Sequence, residues 1–180
     1  MRILCATVFA GLLGACGYHV GGRADLLPKT IHTIAVPAFA NASTRYKITD
    51  QLPEAIAREF ITRTRYRVVS NPDTADAVLR GSVLNFTQEL AVADPLAGAT
   101  VMIVHVYLQL SLTERATGKV LFSRPNMEVR ERYQIAVAPP NSPDQSSFNQ
   151  RNYFEETDSA IRRAAEQAAR QVVSSIVENF

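Results

Sequence analysis

The chain of 180 residues has no tryptophan, two cysteines and three histidines. It has no run of five or six like charges, no low-complexity tract and no internal repeat. Lys and Arg number 19 against 17 Asp and Glu, a net charge of +2, which excludes a polybasic nucleic-acid footprint. His19, His32 and His105 are scattered, and no two have metal-ligand spacing. There is no Gly-x-Ser-x-Gly, no phosphate-binding glycine loop and no catalytic cysteine. Glu155 and Glu156 are adjacent, but read as carboxylates at a helix start that complement the helix dipole, not as an acid/base pair. No enzymatic activity, no cofactor and no metal are expected.

The two cysteines are not placed at random. Met1 and Arg2 give a short positive start, and Ile3 to Leu13 is apolar apart from Thr7. This run is too short for a bilayer-spanning helix, which needs about 20 residues. It suits the apolar core of a secretory signal, usually ~7–15 residues. Leu13-Gly14-Ala15-Cys16 then resembles a bacterial lipobox, in which the signal is cut before a cysteine whose thiol is acylated. An ordinary signal peptide with an incidental cysteine is the alternative. With residues 1–15 removed, Cys5 is lost and Cys16 carries lipid, so the fold must hold by packing without a disulfide. Several acyl chains on one residue give firm anchoring, at ~0.8 kcal/mol per buried CH₂. Gly17 is not the aspartate that retains such proteins in the inner membrane, so the outer membrane is expected. Residues 16–28, with Gly21 and Gly22, read as a lipidated flexible tether.

Residues 29–180 read as a single domain, a length suited to one core. Ile31 to Val36 is rich in β-branched residues and stops at Pro37, a strand. Leu52, Ile56 and Phe60 mark one face of a helix over about 46–63, with Pro53 either in its first turn or at a kink. Tyr66 to Ser70 is a strand and Asn71-Pro72-Asp73 a turn. Another strand opens at Ala75 and runs to about Val92. From Val101 to Thr113 the alternation is strict: Met102, Val104, Val106, Leu108, Leu110 and Leu112 on one face, and Ile103, His105, Tyr107, Gln109, Ser111 and Thr113 on the other. Ala116 to Lys119 is a hairpin connection. Val120 to Ser123 reads as a strand cut by Pro125, and Met127 to Ile135 as a further strand near an edge. Residues 137–150 read as a loop. The last helix is expected from about Asn152 to Val177, with the stripe Phe154, Ile161, Ala164, Ala165, Ala168, Val172 and Ile176. The fold class is α+β: a two-layer sandwich, with two helices on one face of a mixed, mostly antiparallel sheet of four or more strands.

Cys16-Gly17-Tyr18-His19-Val20, Leu27-Pro28, Ile31 to Asn41, Arg65 to Val69 and Ala75 to Gly81 together resemble the LPS-assembly lipoprotein family LptE. The resemblance implies a lipid-anchored periplasmic domain seated in an outer-membrane β-barrel, LptD, where it acts as plug and assembly partner while lipopolysaccharide moves to the cell surface. It implies contact with lipopolysaccharide and no catalytic residue. Barrel lumens are polar, so His105, Tyr107, Gln109, Ser111 and Thr113 are candidate barrel-facing residues. Lipopolysaccharide carries phosphates, so Lys119, Arg124, Arg130 and Arg132 are candidate charge-assisted contacts. Plain solvated basic residues are the competing reading. The alternative function is a subunit of another envelope machine, such as a CsgG-like secretion pore or a cell-wall synthase activator. A pore needs long hairpins, and the cut at Pro125 argues against one.

Overall fold

The computed structural model describes residues 27–94, 98–138 and 141–178. The expected signal peptide, Cys16 and all but the last two residues of the tether lie outside the described residues. The elements are β1 (Thr33–Ala35), β2 (Ala40–Asn41), α1 (Lys47–Arg63), β3 (Arg67–Val69), a 3-10 turn (Pro72–Thr74), β4 (Ala77–Asp94), β5 (Ala99–Glu114), β6 (Val120–Ala136) and α2 (Gln145–Glu178). They form one open, mixed sheet in the order β3-β1-β4-β5-β6, with β2 paired to β4. The short strands pair in parallel and β4, β5 and β6 form a long antiparallel meander. Both helices cover one face, as expected.

The alternation in β5 decides which face that is. Val104, Val106, Leu108, Leu110 and Leu112 are buried under the helices. α1 contributes Ile48, Leu52, Ile56 and Phe60 to this core, and α2 contributes Ile161, Val172 and Ile176. Between them, Ala164, Ala165, Ala168 and Ala169 are each about 1% exposed, so small side chains let α2 approach its neighbours closely. Leu27, assigned to the tether by sequence, also packs in this core.

Two contacts fix the short strands. Asp76 Oδ2 accepts hydrogen bonds from His32 N, Thr33 N and Thr33 Oγ1, each 2.9 Å, tying β1 to the start of β4. Phe39 lies over Gly81, where a Cβ would come within 2.4 Å of the ring. The β5–β6 hairpin closes with Gly118 at φ +71° and Glu114 N donating to Lys119 O over 2.8 Å.

The structure corrects several expectations. β6 is not cut at Pro125. It runs unbroken, and Pro125 falls in the register break between the Leu110–Arg124 and Leu108–Met127 pairs. β6 is an edge strand, where proline at a bulge is tolerated. The length objection to a pore hairpin therefore falls away. A different one replaces it: the inner face of β5 and β6 is sealed by the helices. Pro53 lies in the second turn of α1, not the first. α2 begins at Gln145, seven residues before the expected start, so the loop is shorter than 137–150. Glu155 and Glu156 are thus inside the helix and cannot complement its N-terminus. Phe154, placed in the buried stripe by its spacing, is 53% exposed.

Candidate functional site: the open face of the sheet

The face away from the helices carries Ile103, His105, Tyr107, Gln109, Ser111 and Thr113 from β5. Strand pairing sets their neighbours. Glu89 stands opposite Ile103 on β4, while Glu128 stands opposite Tyr107 and Arg130 opposite His105 on β6. His105 is reached diagonally from both sides. Its Nδ1 lies 2.8 Å from Glu128 Oε1 and its Nε2 lies 3.1 Å from Glu89 Oε1. Tyr107 Oη donates to Glu128 Oε1 over 3.1 Å. Arg130 grips both Glu128 oxygens, Nε to Oε1 and Nη2 to Oε2, each 2.9 Å.

This network sets the titration of its members. The Arg130 guanidinium, followed by His105, holds the Glu128 carboxyl down at about 2. The Glu128 carboxylate, and after it Glu89, raises the His105 imidazole above its ordinary value against the opposing effect of burial. The same carboxylate pushes the Tyr107 phenol up. With His105 protonated, two carboxylates and two cations compensate one another. Within this network the charges balance, while Arg80 and Arg132 add positive charge to the same face.

A second polar chain lies between the sheet and the helices. Gln88 Nε2 donates to Tyr133 Oη over 2.6 Å, Tyr153 Oη donates to Gln88 Oε1 over 3.2 Å, and Tyr133 Oη lies 3.2 Å from Thr157 Oγ1. Burial pushes the Tyr133 phenol up. Sequence reasoning missed this chain. Its members come from β4, β6 and α2, and only the packing of that helix on the sheet brings them together.

No group of three His, Cys, Asp or Glu that could hold a metal is found among the described residues. The LptE family, described as lipopolysaccharide-assembly, matches residues 31–176. The chain belongs to the LptE family. LptE proteins are non-enzymatic outer-membrane lipoproteins of lipopolysaccharide assembly. No helix among the described residues is long and apolar enough to cross a membrane. No curated protein matches the chain in sequence. Solved structures with TM-scores of 0.50 and 0.54 share its fold. A neuraminyllactose-binding hemagglutinin homolog from Helicobacter pylori superposes with TM-score 0.50 at 14% identity over 88% of each chain. A Xanthomonas campestris protein gives 0.54 at 15%, over 87% of this chain and 91% of its own. A minor lipoprotein from Acinetobacter baumannii gives 0.45 at 16%, over 84% of this chain and 95% of its own.

The LptE-like motifs now have physical roles. Asp76 and Gly81 of the Ala75–Gly81 stretch serve the strand lock and the Phe39 contact. Asn41 Oδ1 accepts from Ser43 N and Ser43 Oγ, turning the chain after β2. The four basic candidates do not form one cluster. Arg130 and Arg132 share the open face at the far end of β6. Arg124 pairs with inward-facing Leu110, lies 5.8 Å from the Phe122 ring centre, and borders a cleft with Gln171 and Ser174 of α2. Lys119 sits in the β5–β6 hairpin.

Proposed function

We propose that this LptE protein is anchored through acylated Cys16 in the periplasmic leaflet of the outer membrane. There it plugs and partners the lipopolysaccharide-export barrel LptD. The observation that carries the reading is the family match over residues 31–176, joined to a polar open sheet face on which Glu89, His105, Glu128 and Arg130 pair with one another. A polar surface suits a polar lumen. His105, Tyr107, Gln109, Ser111 and Thr113 face the barrel wall.

Lipopolysaccharide phosphates are met by Lys119, Arg124, Arg130 and Arg132. Arg130 already spends its fork on Glu128, so Arg132, Arg124 and Lys119 carry more of that contact. The test is a photo-crosslinking residue placed at Gln109, exposed on the open face, in living cells. Adducts with LptD support the reading. Adducts only with other copies of the chain would support a ring-forming subunit instead.

A further inference from the structure

Two aromatic residues sit where local structure does not favour them. Phe154 holds a position of the α2 apolar stripe, yet is 53% exposed. Tyr46 caps the start of α1, where Ser, Thr, Asp or Asn is preferred, and its side chain makes no cap hydrogen bond there. Residues that break a local rule in this way mark functional positions. The fold brings the two to one cavity. α1 begins level with Asp158 of α2, to which Lys47 Nζ donates over 2.5 Å, so the α2 stripe runs on past the end of α1. The step leaves a cavity of about 360 Å³ lined by Thr44, Tyr46, Lys47, Phe154, Asp158 and Ile161. Arg45 also borders it, but its guanidinium lies over Phe86, 5.8 Å from the ring centre, and donates to Gln88 Oε1 over 3.4 Å.

We infer that this cavity binds a neutral N-acetylated hexosamine. An acetamido group carries one N–H, one carbonyl and one methyl. Asp158 bonds Lys47 through Oδ2, so Oδ1 accepts the N–H. The Lys47 ammonium has further protons to donate to the carbonyl. The methyl lies on Ile161, 2% exposed at the cavity floor. Tyr46 and Phe154 offer apolar ring surface to the C–H face of the pyranose. The Phe154 ring is already positioned: Tyr153 meets it edge to face, ring centres 5.6 Å apart at 76°, and Tyr153 Oη is itself bonded to Gln88. Little order is therefore lost on binding. Lys47 and Asp158 compensate each other, which suits an uncharged sugar better than a phosphorylated one. In the envelope the cell-wall glycan strand presents such units. That last step rests on the periplasmic placement proposed above; the sugar chemistry does not.

The test titrates the full, isotope-labelled chain in mild detergent with N,N′-diacetylchitobiose. The expected result is a saturable amide shift at Thr44, Tyr46, Lys47, Phe154 and Asp158. Cellobiose has the same two rings without acetamido groups and should bind about tenfold more weakly. Tyr46→Ala and Phe154→Ala should each abolish the shift and keep the parent melting temperature, because both side chains are exposed. Asp158→Asn keeps the shape but not the charge, and should weaken binding about tenfold. The absence of a saturable shift, an equal response to cellobiose, or shifts undiminished in both aromatic variants would overturn the inference. Preference for phosphorylated N-acetylglucosamine over the plain sugar would do the same, since it marks an anion site. So would tighter binding of acetyl-alanyl-alanine amide, which marks a peptide site. The titration reads the cavity alone. Its failure leaves the barrel reading standing, and a chain recovered without a barrel can still bind the sugar.

Discussion

Phe39 and Gly81 are locked face to face: a Cβ at position 81 would lie 2.4 Å from Phe39 Cε2 and 2.6 Å from its Cζ. Neither residue touches a candidate contact, yet both fall in the family-like motifs. Gly81→Ala is expected to destabilise by about 1–3 kcal/mol through overpacking. Phe39→Leu frees space, so the double variant should cost less than the two single changes added. Urea unfolding of all four proteins checks this. Simple additivity would mean the ring and the glycine are not coupled.

Asp76 clasps β1 to β4 through three donors. The His32 backbone N–H is the main reason its carboxyl lies below the ordinary 3.8. A lowered folded value means the contribution is present above the unfolded value and lost as pH falls through the folded one. Stability should therefore decline below about pH 4, and Asp76→Asn should flatten that decline. Asp76→Ala leaves the buried Thr33 N–H without its partner, which costs ~1–3 kcal/mol. Unfolding midpoints measured from pH 2 to pH 6 decide it.

His105 behaves in the opposite sense. Its folded value is raised above 6.5, so its contribution is complete below that and lost as pH rises through the folded value. The unfolding midpoint should fall between pH 6 and pH 9 in the parent and change less in His105→Gln. An imidazole titration followed by NMR should show a midpoint above the ordinary value. A midpoint at or below it would mean that burial outweighs the two carboxylates.

The α2 alanines predict a steric limit. Ala168→Leu has no room against the layer below, and should cost about 1–3 kcal/mol or more. Arg170→Leu, on the exposed side of the same helix, should change stability by less than about 0.5 kcal/mol. Thermal melts of the two variants test whether close approach is real.

Much of this was legible in the residues. The period-2 run from Met102 to Thr113 identified the buried face, and Leu52, Ile56 and Phe60 identified the buried side of α1. What was missed has physical reasons. The first three turns of α2 carry no apolar stripe, because Thr157 is the first buried residue of that helix, so nothing periodic marked its start. Pro125 stops a central strand but not an edge strand at a bulge. Glu89, His105 and Glu128 meet only because β4, β5 and β6 adopt one register, shifted twice along each pair. The types of residue on the open face were readable, but not their pairing. The four basic candidates were chosen by charge, which carries no information about the side of the sheet.

The central claim is tested most directly by extracting the lipidated chain from native outer membrane in mild detergent and identifying what comes with it. The account predicts a large β-barrel of the lipopolysaccharide-export type in one-to-one ratio. Recovery as a ring of identical subunits, or with cell-wall synthases and no barrel, would contradict it.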